Sequence, residues 1–343
     1  MKLNKPDPIR DFIFSQIKKH PKDITNIVSE KFGITRQAAH RRLKALVDEK
    51  LLERIGVGRS SLYTLATILN KVFKYPVKGL QEDVVWRNDI EPLLTDLPEN
   101  VKMIWHYGVT EMVNNAVDHS EGSQVTVFVN RNYIATQIGV QDDGIGIFNK
   151  IKRDFQLDDV YYSLLELSKG KLTTDPNRHS GEGIFFTSKV FDDFAILSSG
   201  LVYEYQAKLS TDSERAILLR DHEEKIKGTL ILMEVANTSE RTTKEVFDEY
   251  TGSDFIFSKT IVPVRLAKYG NENLVSRSQA KRLLARVEIF KNILLDFREV
   301  PLIGQGFADE VFRVFVQDHP EIKIGVLHAN SEVEKMIKHV TRA

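Results

Sequence analysis

The order of three short segments in the middle of the chain constrains it most: EMVNNAVDHS from Glu111, DDGIGI from Asp142 and SGEGI from Ser180. Each alone has an ordinary local explanation. Glu111 and Asn115 lie four residues apart and share one face of a helix, as polar pairs on many solvated helices do. The run from Asp142 to Gly146 reads as a turn, for which Asp and Gly are common choices. Gly181 and Gly183 precede a helix expected over 184–190, where glycine exposes backbone N–H groups. Their succession in one domain-sized stretch is what points to the walls of a single pocket.

A chain of 343 residues has room for two or three domains, each with its own core. Apolar residues make up 42% of it, with no low-complexity tract and no apolar run near the roughly 18 residues of a membrane span, so no membrane partner is expected. The first six residues lack the apolar stretch of a signal peptide and there is no cysteine for a disulfide framework, which points to the cytoplasm. Lack of cysteine also removes thiolate zinc sites and thiol nucleophiles, and the nine histidines show no HExxH spacing. Net charge is zero, but residues 1–70 carry fourteen Lys or Arg against seven Asp or Glu, a surplus of seven. Such a concentration suits a polyanion, because cations bound to phosphates release condensed counterions.

The pattern beneath that charge is more specific. Ile9, Phe12, Ile13 and Ile17 fall at helical spacing, as do Ile24, Ile27, Val28 and Phe32. Gly33 and Ile34 make a turn, Thr35 is a natural N-cap, and a third helix over 36–49 turns Ala39, Leu43, Ala45 and Leu46 inward. Leu51, Leu52, Leu62, Tyr63 and Leu65 then frame a two-stranded hairpin with a basic tip. Residues 1–68 resemble a winged helix-turn-helix, which implies DNA as partner. Arg36, Gln37, His40, Arg41 and Lys44 are placed for a major groove and Arg59 for backbone or minor groove. The plainer reading is the solvated face of a small helical protein-binding module.

Across 67–81 the pattern loosens, with Pro76 and Gly79 breaking it, and a domain boundary is expected there. Helices follow over 83–97 and 100–119, the second with Ile104, Tyr107, Val113 and Val117 in one stripe, and then strands over 124–129 and 133–141. The chemistry of the three segments is complementary. A carboxylate such as Glu111 orients and deprotonates a water, while the neutral Asn115 oxygen ligates Mg²⁺ without adding charge. Asp142, at a strand end, suits the exocyclic amine of adenine, and its glycines admit close backbone approach. No GxxxxGK[ST] loop or GxSxG elbow competes with this arrangement.

Glu111-x-x-x-Asn115-Ala116 and Asp142-x-Gly144-x-Gly146, followed by Gly181-x-Gly183 and by Gly228-Thr229 ahead of a strand over 230–235, resemble the motifs of the GHKL or Bergerat-fold ATPases. That family includes gyrase, a heat-shock chaperone, mismatch-repair proteins and histidine kinases. The resemblance covers residues 81–240. It implies an α/β sandwich with a mixed, mostly antiparallel sheet covered on one face by helices, and ATP and Mg²⁺ as cofactors. It also implies Glu111 as hydrolytic base, Asn115 as Mg²⁺ ligand, Asp142 as adenine reader, Gly144, Gly146, Gly181 and Gly183 as glycine turns of the pocket, and Thr229 as a second contact near the base. Asp118 is a further candidate for the wall. Residues 149–179 would be the lid, with Lys169, Lys171, Arg178 and His179 as candidates to meet the γ-phosphate.

After Thr251 the chain changes character. A strand-like stretch at 255–266, a basic helix at 276–287, a buried strand at 292–297, an amphipathic segment at 307–318, a strand at 322–327 and a helix at 331–340 follow one another. Residues 253–343, and 276–310 in particular, resemble a STAS-like family. STAS anti-sigma antagonists carry a phosphorylatable serine where Gly304, Gln305 and Gly306 stand here, so a docking or dimerising module is expected. The chain as a whole reads as an α+β multidomain protein. Its leading functional reading is an ATP-gated DNA-binding regulator with a protein partner at the STAS-like domain and with homodimerisation. The alternative is a GHKL-fold serine/threonine kinase of the anti-sigma kind, for which His119-Ser120 and the attached STAS-like domain speak.

Overall fold

The computed structural model describes residues 7–56, 58, 61–172, 181–207, 216–221, 226–251, 257–268 and 272–342. Helix α1 (Pro8–Gln16) starts with proline at its first position under the Asp7 carboxylate, which accepts hydrogen bonds from Ile9 N and Arg10 N. Helix α2 (Ile24–Phe32) stops at Gly33, whose φ of 61° is the left-handed conformation that glycine adopts without strain. Helix α3 (Arg36–Asp48) begins where Thr35 Oγ1 accepts from Ala38 N. Strands β1 (Leu52–Ile55) and β2 (Leu62–Leu65) pair antiparallel and close a separate small core around Ile13, Ile24, Val28, Leu43 and Tyr63. Ala45, expected inside, is exposed. The buried stripe runs through positions 39, 43 and 46, and position 45 lies a full residue's rotation away from it.

Residues 67–76 are no loose linker. They form β3 (Thr67–Pro76), hydrogen-bonded along its length to β4 (Gln124–Asn132). Lys71 and Lys74 mask the strand by interrupting its apolar alternation. Pro76 ends it, having no N–H for the ladder, and Gly79 turns the chain at φ 79°. A helical run follows, α4 (Glu82–Val85) continuing through a π turn and a 3₁₀ turn, and then α5 (Glu99–His119). Strand β5 (Ala135–Asp142) leads to α6 (Ile147–Asp154), α7 (Tyr162–Lys169) and α8 (Gly183–Val190). Strands β6 (Asp193–Ser198), β7 (Leu201–Gln206), β8 (Ala216–Asp221) and β9 (Thr229–Ala236) complete the large sheet, and α9 (Thr243–Tyr250) follows.

The seven strands lie in the order β3-β4-β5-β9-β6-β7-β8, and every described pair is antiparallel. The mixed sheet expected from the sequence is thus corrected. Strand β9 returns between β5 and β6, antiparallel to both, and keeps those two from pairing with each other. Helix α5 lays Val101, Ile104, Trp105, Val109 and Met112 on the inward residues Val125, Val127, Ile138, Val140 and Met233, while Tyr107 and Val117 sit at the margin of the stripe. Each such side chain withdrawn from water contributes roughly 1.5–3 kcal/mol.

Strands β10 (Lys259–Pro263), β11 (Asn292–Asp296) and β12 (Lys323–Leu327) form a second, parallel sheet. Between them lie α10 (Arg277–Leu284), then α11 (Gln305–Asp309) running through a π turn into α12 (Phe315–Asp318), and α13 (Ser331–Thr341) closes the chain. Ser276 and Gln279 build a capping box at the start of α10. The strand expected over 255–266 is shorter because Pro263 halts the ladder and a 3₁₀ turn follows. The protein is a mixed α/β multidomain chain. No helix among the described residues is long and apolar enough to cross a membrane.

Gly108 lies mid-helix in α5, where alanine ordinarily stabilises by about 1 kcal/mol. Here a Cβ would meet the buried Phe191 ring at 2.4 Å. Gly108→Ala is therefore expected to destabilise by roughly 1–3 kcal/mol in urea melts, reversing the usual sign.

Candidate functional site

The C-terminal half of α5, the end of β5, the start of β9 and the start of α8 enclose a cavity of about 360 Å³, in the range of small-molecule sites. Glu111, Asn115, Asp142, Gly181, Gly183 and Thr229 all line it. Asp118, Gly144, Gly146 and Lys171 are not among its lining residues. Asp118 is exposed in the last turn of α5, where its short side chain does not reach the cavity. Arg178 and His179 lie outside the described residues, as does Arg59 of the hairpin tip.

The two adjacent aspartates divide their work. Asp143 accepts from Ser123 N, Ser123 Oγ and Gln124 N, and these donors, Gln124 N foremost, hold its carboxyl well below the usual range. It fastens the turn to the start of β4. Asp142 is buried, and burial pushes its carboxyl up against the opposing effect of its donors. Its Oδ1 accepts from Gly144 N at 2.9 Å and Thr229 N at 3.2 Å. Thr229 Oγ1 in turn accepts from Ile147 N, tying the first turn of α6 to β9. Gly144 supports the pocket from behind, since a Cβ there would fall 2.0 Å from Ser120 O.

On α5, burial raises the Glu111 carboxyl above its ordinary range, and the nearby negative charge of Glu82 adds to this. Asn115 Nδ2 is buried and has no hydrogen-bond partner among the described residues. An amide donor left so is costly unless a ligand or water meets it. The backbone of α8 approaches closely here: a Cβ on Gly183 would lie 2.2 Å from Glu111 Oε2. A half-buried carboxylate, an unmet amide, a bare helix start and a buried aspartate therefore face one space. The arrangement can accept a donor group at Asp142, hold a cation or polar oxygen at Asn115, and move a proton at Glu111.

Several lining residues escaped the sequence reading. His119 follows Asn115 by four residues, so positions 111, 115 and 119 share one helix face, a signal present in the spacing. Lys150 and Asp154 also line the cavity and pair across one turn of α6 at 3.0 Å. They fall in the stretch expected to be a lid, whose described parts include the helices α6 and α7. Lys169, a candidate for a phosphate, is buried against Glu166 at 2.9 Å. Its ammonium donates to the carbonyls of Arg282 and Ala285 instead. Lys171 pairs with Glu182 at 3.4 Å.

At the other end of the molecule, Arg36, Gln37, His40, Arg41 and Lys44 are all exposed on α3. Helix α1 and the residues just after it meet the large sheet: Arg10 stacks over the ring of Tyr133 in the β4–β5 turn at 4.9 Å, Phe14 packs on the same ring at 5.2 Å, and Lys18 pairs with Glu234 of β9 at 2.6 Å.

Residues 279–334 match a family described as a STAS-like domain of unknown function, DUF4325. The C-terminal part of the chain is STAS-like. No curated protein matches the chain. Among solved structures, the IclR transcriptional regulator from Alicyclobacillus acidocaldarius aligns at 13% identity over 71% of this chain and 92% of that one. Its TM-score of 0.21 is too low to bear on fold or function.

The raised Glu111 pKa has a measurable consequence. A folded-state pKa above the unfolded one stabilises the protein below the ordinary Glu range, and that gain is lost as pH rises through the raised value. At neutral pH the ionised carboxylate is a burden that an amide does not carry. Glu111→Gln should raise Tm by about 2 °C near pH 7.5, with the difference vanishing towards about pH 4 in calorimetric scans.

Proposed function

We propose that the chain is an ATP-binding, slowly ATP-hydrolysing regulator of the GHKL type whose nucleotide state gates binding to DNA or to a protein partner. One observation carries the nucleotide reading. Glu111, Asn115, Asp142, Gly183 and Thr229 converge on one cavity in which the Asn115 amide is buried and unmet. In this reading the Asp142 carboxylate accepts from the adenine amine, with Thr229 holding it in place. The backbone at Gly181 and Gly183 carries no side chain to obstruct phosphate oxygens. Asn115 would ligate Mg²⁺, which when bound neutralises charge on phosphate oxygens. Glu111, with its affinity for protons raised by burial, takes the proton from an attacking water.

The DNA part of the proposal draws on the winged-helix resemblance of the amino-terminal head, its surplus of positive charge and the exposed cations of α3. With α1 seated on the sheet through Arg10, Phe14 and Lys18, α3 keeps its polar face in solvent. A second reading, a serine/threonine kinase of the same fold, is favoured by the STAS-like match at 279–334, since anti-sigma kinases act with STAS partners.

Calorimetric titration should find ATP binding abolished in Asp142→Asn, because the amide oxygen stays with Gly144 N and Thr229 N while the NH2 group that replaces the other oxygen meets the adenine amine donor to donor, and retained in Glu111→Ala with turnover reduced by about a hundredfold or more. Labelled γ-phosphate recovered as free phosphate supports the regulator, and label on protein supports the kinase. Retained hydrolysis in Glu111→Ala would remove that residue as the base.

For the head, affinity for duplex DNA should fall steeply with salt and drop about tenfold on Arg41→Ala, with a non-hydrolysable ATP analogue shifting the affinity in electrophoretic assays. Binding indifferent to nucleotide would sink the gating proposal.

A further inference from the structure

The wall of the cavity opposite α5 has its back on the STAS-like domain. Phe155, Leu167, Gly170 and Leu172 line the cavity, and the segment that carries them is gripped from behind at several points. The Arg286 guanidinium lies 4.9 Å from the centre of the Phe155 ring, and Arg282 lies 3.8 Å from that of Tyr162. On α7, Glu166 and Lys169 are both almost fully buried. Glu166 accepts from Lys169 at 2.9 Å through one oxygen and from Arg286 Nε at 2.9 Å through the other.

Lys169 also donates to the carbonyls of Arg282 at 3.2 Å and Ala285 at 2.8 Å, supplying the positive charge that the end of a helix favours. From the second sheet, Thr260 Oγ1 donates to Lys169 O at 2.8 Å. The next residue, Gly170, has φ of 100° and lies against Phe257 and Phe185, with no room for a Cβ. The lysine that the sequence offers to a phosphate is thus committed to joining two parts of the fold.

We propose that the STAS-like domain holds the cavity wall in place through Glu166, Lys169 and Arg286, so that filling the cavity and seating that domain are linked equilibria. A partner that draws Arg286 and the end of α10 away leaves the Glu166 carboxylate with Lys169 as its one remaining cation among the described residues and frees α7 to move the wall. By reciprocity, a ligand that favours the closed wall tightens the seat of α10 by the same free energy. In this chain Arg286 is a positioning residue. The proposal rests on the nucleotide reading only for its choice of ligand.

The test compares the full-length chain with Arg286→Ala and Arg286→Lys. Titration with AMP-PNP and Mg²⁺ should show about a fivefold loss of affinity in Arg286→Ala, partly restored in Arg286→Lys. Hydrogen exchange without nucleotide should quicken at residues 162–172 in Arg286→Ala while the large sheet stays protected, and AMP-PNP should slow exchange at 277–286 in the unmodified chain. Unchanged affinity together with unchanged exchange at 162–172 would overturn the proposal. So would faster exchange spread evenly over the chain, because Arg286 would then serve stability alone. If the unmodified chain fails to bind AMP-PNP, the nucleotide reading falls, and exchange at 162–172 decides the linkage by itself.

Discussion

The site depends on one buried carboxylate. Asp142 ends β5, and its Oδ1 draws in the amides of Gly144 and Thr229, so a strand end, a glycine turn and the first residue of β9 are held at a single atom. The register of β9 against β5 and β6 follows the same junction, with Gly228 at φ 74° passing where any Cβ would strike Asp142 O at 2.2 Å. Burial makes the ionised carboxylate costly, and the two amides offset part of that cost. A side chain in that position is shaped by the sheet and at the same time presented to the cavity.

Stability and function pull against each other around this cavity. The Glu111 carboxylate is desolvated beside the bare backbone of Gly183, and the Asn115 amide is buried without a partner among the described residues. A core built only for stability would fill such a space with apolar groups. By contrast, the buried charges of Glu166 and Lys169 are fully engaged. The two clusters sit on opposite sides of one wall, one with unmet polar groups and the other with every group committed.

Much of this was legible along the chain where the physics is local. Helical spacing placed α2, α3 and α5 to within a few residues, because amphipathic periodicity survives any tertiary context. Glu111, Asn115, Asp142, Gly181, Gly183 and Thr229 could be singled out only together, because each has an ordinary local explanation and their order is what points to one pocket. His119 was equally available from the four-residue step. The strand at 67–76 was not, since an edge strand with Lys71 and Lys74 shows little alternation. Lys169 was misplaced for a different reason: a lysine near a phosphate motif and a lysine plugging a helix end have the same local sequence, and only packing separates them.

The sequence by itself determined the amphipathic helices, the glycine turns and the charge asymmetry of the amino-terminal head, which follow from composition and spacing over short stretches, and it carries the STAS-like character of the C-terminal part as a likeness to a known family. Only the tertiary structure decided that β9 inserts between β5 and β6, that every described pair in the large sheet is antiparallel, and that α7 is pinned to α10. Those features join residues tens to more than a hundred positions apart. Their energies arise from burial and from hydrogen bonds that exist only once both partners are in place, and no pattern along the chain records them.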